Sequence, residues 1–89
     1  MYEIARRTLW LHSAPPREVV VSIGLPVEEP SGEWACPYRI DGLDGWEHER
    51  KVAGYDAVDA LEAVLSVVKV ALIDSHEARE GLLDLDDPD

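Results

Sequence analysis

Asp56 to Arg79, DAVDALEAVLSVVKVALIDSHEAR, is the stretch whose reading decides the fold. Projected at about 100° per residue, Ala57, Ala60, Leu61, Val64, Leu65, Val67, Val68, Ala71 and Leu72 cover roughly half of a helical circumference. Asp59, Glu62, Ser66, Lys69 and His76 fill the other side, so the spacing predicts one amphipathic helix over 56–79. Asp56 suits the N-cap, and Asp59 and Glu62 place negative charge at the positive end of the helix dipole. Gly81 is a natural stop just past the end, with Leu82 and Leu83 able to fold back on the last turn as its apolar contact. About 24 helical residues span roughly 36 Å and a ten-residue strand about 33 Å, so one such helix covers a sheet from end to end.

The residues before it read as that sheet. Residues 2–12 are rich in β-branched, aromatic and aliphatic side chains, and Pro15 and Pro16 end the run because neither continues a ladder. Over 17–27, Val19, Val21, Ile23 and Leu25 alternate with Glu18, Val20, Ser22 and Gly24, which puts the first set on the core face. Residues 28–32 form a polar turn. A third strand over 33–41 places Trp34, Cys36, Tyr38 and Ile40 on one face; Pro37 conflicts with it and calls for a bulge or an unpaired neighbour. A glycine-bearing loop at 41–45 leads to a fourth strand over 46–53, with Trp46, His48, Arg50 and Val52 in phase. Connections this short favour antiparallel neighbours. The expected fold is α+β: a four-stranded, meander-like antiparallel sheet with one long C-terminal helix packed on one face. Residues 1–81 make a single domain, and 82–89 read as an acidic, disordered tail because they offer little apolar surface against the entropy of ordering.

The 89 residues carry 8 Lys and Arg against 19 Asp and Glu, a formal net charge of −11. The imbalance is uneven, −3 over residues 1–55 and −8 over 56–89. Phosphate-backbone binding needs clustered cations, so a nucleic-acid partner is not expected, and an anionic membrane surface is disfavoured for the same reason. If charge implies a partner, it is a basic one; the plainer reading is that acidity keeps a small domain soluble. The single Cys36 precludes an internal disulfide and suits a reducing compartment, and no window resembles a signal peptide or a membrane span. A cytoplasmic location is expected.

No motif assigns chemistry, and no catalytic, cofactor-binding or metal-binding residue is expected. Cys36 shares a strand face with Trp34, Tyr38 and Ile40, where a free cysteine packs as a small hydrophobe rather than serving as a nucleophile. Asp41, Asp44, Glu47 and His48 crowd one loop but match neither calcium-loop nor zinc-ligand spacing. Val70 and Ile73 fall in the otherwise polar arc of the helix, with Ala63 and Val67 beside Val70. An isolated exposed Val is unremarkable, but this grouping marks Ala63, Val67, Val70 and Ile73 as a candidate interface. Trp34, Tyr38, Arg39 and Trp46 offer aromatic walls and an anion handle for a pocket between helix and sheet, although sheet packing accounts for the same residues.

Ile4-Ala5-Arg6-Arg7-Thr8-Leu9, Trp34-Ala35-Cys36-Pro37-Tyr38-Arg39-Ile40 and Gly54-Tyr55-Asp56-Ala57-Val58-Asp59-Ala60-Leu61 occur in that order. The combination resembles a group of small bacterial proteins catalogued as a domain of unknown function, over about residues 2–75. The resemblance implies a bacterial origin and transfers no activity or site residue. Gly54 before Asp56 has its own account as a flexible entry to an N-cap. The leading expectation is a non-enzymatic protein-interaction domain, homodimeric or immunity- or antitoxin-like with a basic partner. The alternative is a small-molecule-binding domain or minor enzyme.

Overall fold

The computed structural model describes residues 1–46 and 48–84. β1 (Glu3–Leu11) and β2 (Arg17–Gly24) form an antiparallel hairpin in which Leu9 faces Val19 and Leu11 faces Arg17. Period-two alternation sends Leu9, Leu11, Val19, Val21 and Ile23 into the core. β4 (Trp34–Asp41) takes β2 along one side, from Val20 opposite Asp41 to Ile23 opposite Tyr38. The same side then takes the two-residue β3 (Val27–Glu28), with Val27 opposite Ala35. β5 (Arg50–Gly54) runs down the other side, from Trp34 opposite Gly54 to Tyr38 opposite Arg50. β2 and β3 thus both pair with β4 and not with each other, in an antiparallel, meander-like α+β sheet closed by α1 (Ala57–Ile73) and a short α2 (His76–Arg79).

Pro37 explains the division of β2 from β3. It has no N–H to give, and on this side the ladder skips from Tyr38 to Ala35. The chain opposite bends away at Leu25 and Pro26, and the Leu25 N–H goes to the Tyr2 carbonyl at 2.8 Å. Leu25, expected on the core face, is consequently 48% exposed. The fourth strand also begins later than its alternation suggests. Gly42 and Gly45 adopt positive φ of 110° and 85°, a region glycine enters without a Cβ penalty. The resulting turn closes with the Trp46 N–H on the Leu43 carbonyl at 3.3 Å. Trp46 and His48 thus precede the strand, which opens at Arg50.

The helix is shorter than its periodicity predicts. The Asp56 cap holds: its carboxylate accepts the Asp59 N–H at 2.7 Å, while the Asp59 carboxylate accepts the Tyr55 N–H at 2.8 Å. Ala60, Val64, Val68, Ala71 and Leu72 are buried as expected. At Ser75, however, the hydroxyl donates to the Leu72 carbonyl at 2.8 Å and accepts the Ala78 N–H at 3.1 Å. A serine that satisfies backbone groups on both sides ends one helix and caps the next. Gly81, at φ 74°, stops α2, with the Leu82 N–H on the Glu77 carbonyl at 2.9 Å.

Residues 82–84, the start of the segment expected as tail, are joined to β1. The His12 N–H donates to the Leu82 carbonyl at 2.7 Å and the Asp84 N–H to the Trp10 carbonyl at 3.1 Å, flanking an antiparallel bridge between Leu11 and Leu83. Leu83 is only 7% exposed and belongs to the core cluster with Leu9, Leu11, Ile40, Leu43 and Val64. Burial of an apolar side chain offsets the ordering entropy of a short segment. Residues 85–89 lie outside the described residues.

Candidate functional site

One helix cannot cover this sheet. Strands lie about 4.8 Å apart and a helix with its side chains is about 10 Å wide. α1 rests over β4 and β5, which leaves the β1 side of the sheet open. The gap is a groove of about 630 Å³. Its sheet wall is Ala5, Arg6, Arg7, Leu9, Val21 and Ile23, and its helix wall is Leu65, Val68, Lys69, Leu72 and Ile73. Leu65 and Ile73 are 51% and 49% exposed, so the helix presents an apolar flank that nothing in the chain's described residues covers. Arg7 reaches this side because it stands two residues before Leu9 on the same strand face.

The groove's charge runs against that of the chain. Its walls carry Arg6, Arg7 and Lys69 and no acidic side chain. Among the described residues the ion pairs are Met1 with Glu49, Arg6 with Glu3, Arg39 with Asp41 and Lys51 with Glu29, so Arg7 and Lys69 have no partner. Neighbouring Arg6 is held by Glu3 at 3.0 and 3.1 Å, and hydrogen bonding from Arg6 lowers the Glu3 carboxyl below its usual range. Beside the groove runs the free edge of β1. The Trp10 carbonyl and His12 N–H point outward to residues 82–84. By alternation the Thr8 and Arg6 backbone groups point the same way, and no strand pairs with them among the described residues.

The candidate interface of Ala63, Val67, Val70 and Ile73 is divided by this arrangement. Val67 and Val70 border a second, shallower groove of about 480 Å³ with Trp46, Ala71 and Asp74, whereas Ile73 belongs to the β1 groove. Ala63, half-buried, borders neither. The candidate pocket of Trp34, Tyr38, Arg39 and Trp46 is not assembled as one site either. Tyr38 is buried with its ring centroid 6.3 Å from that of Trp46, over which the Arg50 guanidinium sits at 4.1 Å. Burial pushes the Tyr38 phenol up, and the Arg50 charge partly offsets it. Trp34 packs against the same core, but Arg39 alternates to the other sheet face, where its Nε meets Asp41 at 2.8 Å.

Cys36 is fully buried with Sγ 3.4 Å from the Gly24 carbonyl, and burial raises its pKa. A raised pKa removes thiolate at any pH below it, and only the thiolate is nucleophilic. Iodoacetamide at mildly alkaline pH is expected to label Cys36 at least tenfold more slowly in the native protein than in urea; equal rates would place the thiol at the surface. Among the described residues no three His, Cys, Asp or Glu side chains gather as a metal set, and Glu47 of the acidic loop lies outside them. Among the described residues no helix is long and apolar enough to cross a membrane.

Sequence reading missed two features. Glu77, which falls within the predicted helix over 56–79, is buried and accepts the Asp44 N–H at 3.3 Å, tying α2 to the loop after β4. The groove itself was also missed, although Arg7 in phase with Leu9, and Lys69 between Leu65 and Ile73, were its traces in the sequence.

A family model described as a domain of unknown function (DUF6968) matches residues 5–89, extending through the C-terminal segment. No curated protein and no solved structure matches the chain. With 5–89 inside the match, the chain belongs to the DUF6968 family.

Proposed function

We propose that this domain is a non-enzymatic protein-interaction module that takes an extended, acidic and apolar segment of a partner along β1. The observation that carries the reading is the groove in which Arg7 and Lys69 stand unpaired among apolar walls, beside the open edge of the sheet. A strand added there gains main-chain bonds from Thr8 and Arg6, and its alternate side chains enter the groove. Each apolar side chain so buried contributes about 1.5–3 kcal/mol before ordering costs. Charge then selects: the chain's −11 repels an acidic partner at long range, so only a segment that also fills the apolar walls gains enough to stay. A bacterial cytoplasmic setting accords with the resemblance and with the lone reduced cysteine. The immunity- or antitoxin-like form, with a basic partner on the acidic helix face, rests on net charge alone; the groove supplies a shaped site.

The test is fluorescence anisotropy with a labelled Leu-Asp-Leu-Asp-Leu-Asp peptide. Saturable binding is expected, weakened at least tenfold by Arg7→Glu with Lys69→Glu, a loss of about 1.4 kcal/mol or more. Both residues are exposed, so the variant should keep its thermal transition. Binding indifferent to the double reversal would remove the groove from the account. The small-molecule reading moves to the same place, because about 630 Å³ lies within the usual size of ligand sites, roughly 300–1,000 Å³. A straight-chain fatty acid that displaces the peptide would favour it.

A further inference from the structure

We propose that the second groove, on the other flank of α1, seats a basic amphipathic helix of a partner protein, independently of the β1 groove. This groove of about 480 Å³ runs along Val67, Val70, Ala71 and Asp74, with Trp46 as its facing wall. Val70 is 57% exposed, so its apolar surface is left uncovered by the described residues. Trp46 is fixed before any partner arrives. Arg50 lies over the indole at 4.1 Å and donates to the Gly45 carbonyl at 2.9 Å. Glu77, itself buried, accepts the Asp44 N–H at 3.3 Å. The turn that carries Trp46 is thus tied to both β5 and α2. A preset aromatic wall lowers the ordering cost of binding, and tryptophan is favoured where interfaces are strongest.

Charge and backbone select the occupant. The walls hold Asp74 and no cation, and Asp74 makes no ion pair among the described residues. Lys69 stands on the opposite flank, in the β1 groove. Residues 56–89 carry a net −8, a field that favours approach of a cationic partner. No strand residue lines this groove, so it offers no open ladder. An occupant must therefore satisfy its own backbone groups, as a helix does. Its apolar side meets Val67, Val70 and Trp46, and a lysine or arginine on its rim meets Asp74. A second copy fits poorly. Asp59 and Asp74 lie about 60° apart around α1, so two such helices packed side by side set aspartate against aspartate in either direction.

The experiment titrates the full chain with a fluorescein-labelled helix, Leu-Lys-Lys-Leu-Leu-Lys-Leu-Leu-Lys-Lys-Leu-Leu-Lys-Leu, read by anisotropy and by amide NMR. Saturable one-to-one binding is expected, with shifts centred on Val67, Val70, Ala71 and the Trp46 indole N–H. Val70→Asp should weaken it at least tenfold and Asp74→Asn about threefold. Val70 is exposed, so its variant should keep the thermal transition. The sign is decisive, because Val70→Asp makes the surface more acidic and would strengthen an attraction due to net charge alone. Unchanged or tighter binding to that variant overturns the proposal. So do shifts centred on Leu65, Lys69 and Ile73, which would place the helix in the β1 groove. A dimer that forms with protein concentration and is lost with Val70→Asp would give the groove to a second copy, and overturns it too. Arg7→Glu with Lys69→Glu should bind the Leu-Lys helix no less tightly while losing the Leu-Asp peptide, so the two sites fail separately.

Discussion

Gly54→Ala is expected to destabilise the domain by about 3 kcal/mol, the upper part of the usual range for inserting a methyl group into a packed site. The reason is not backbone freedom, because Gly54 does not occupy the left-handed region. A Cβ there would stand 2.4 Å from the Ala60 nitrogen, 2.6 Å from the Ala60 Cα and 2.9 Å from the Asp59 carbonyl carbon. All three are backbone atoms of the first turn of α1, so no side chain can swing aside and the helix must lift from β5. That first turn is fixed by the Asp56 cap and by buried Ala60, which leaves little room for a shift. In urea unfolding the midpoint should fall with an unchanged slope, and the melting temperature should drop by roughly 12–24 °C for a domain of this size. A loss under about 0.5 kcal/mol, the range of an ordinary surface change, would return Gly54 to the role of a flexible entry.

Leu83→Ala should cost about 2–4 kcal/mol, as for a leucine in any well-packed core. Were 82–89 a free tail, the change would have no effect on stability. Leu83 is instead 7% exposed, bridged to Leu11, which is 1% exposed at the end of β1. Removing the side chain opens a cavity over Leu11, and the hydrogen bonds of Leu82 and Asp84 hold the backbone so that the cavity cannot readily collapse. Truncation after Gly81 goes further, because it also withdraws the partners of the His12 N–H and the Trp10 carbonyl. Against a total stability of about 5–15 kcal/mol, such a chain should unfold at markedly lower urea than one ending at Asp84. Equal midpoints for the two truncations would contradict the packing described for residues 82–84.

How far the sequence speaks can be judged at particular residues. Val19, Val21 and Ile23 were legible because period-two alternation is a local consequence of strand geometry, and Cys36, Tyr38 and Ile40 for the same reason. Asp56 was legible because a cap is a contact within one turn. Trp46 and His48 share the period of β5 without belonging to it, since the turn through Gly42 and Gly45 uses those residues first. Ser75 lies inside the run whose periodicity predicts one helix over 56–79, and only the paths of its hydroxyl show it to be a break. The groove was the least legible feature. It depends on where α1 lies across the sheet, which no single strand or helix encodes, and Lys69 on its own reads as an ordinary solvated face. Pro37 shows the intermediate case: its conflict with a ladder was plain, but that Leu25 would turn outward in response required the register of β2 and β3 against β4.

The space between β1 and α1 is proposed as a binding site for an acidic, apolar strand. Amide NMR of the chain ending at Asp84, titrated with the Leu-Asp peptide, tests it most directly. Shift changes are expected to concentrate at Arg7, Thr8 and Leu9 on β1 and at Leu65, Lys69 and Ile73 on α1, with slowed exchange at Thr8. Changes centred instead on Trp46, Val67 and Val70, or no saturable changes at all, would contradict it.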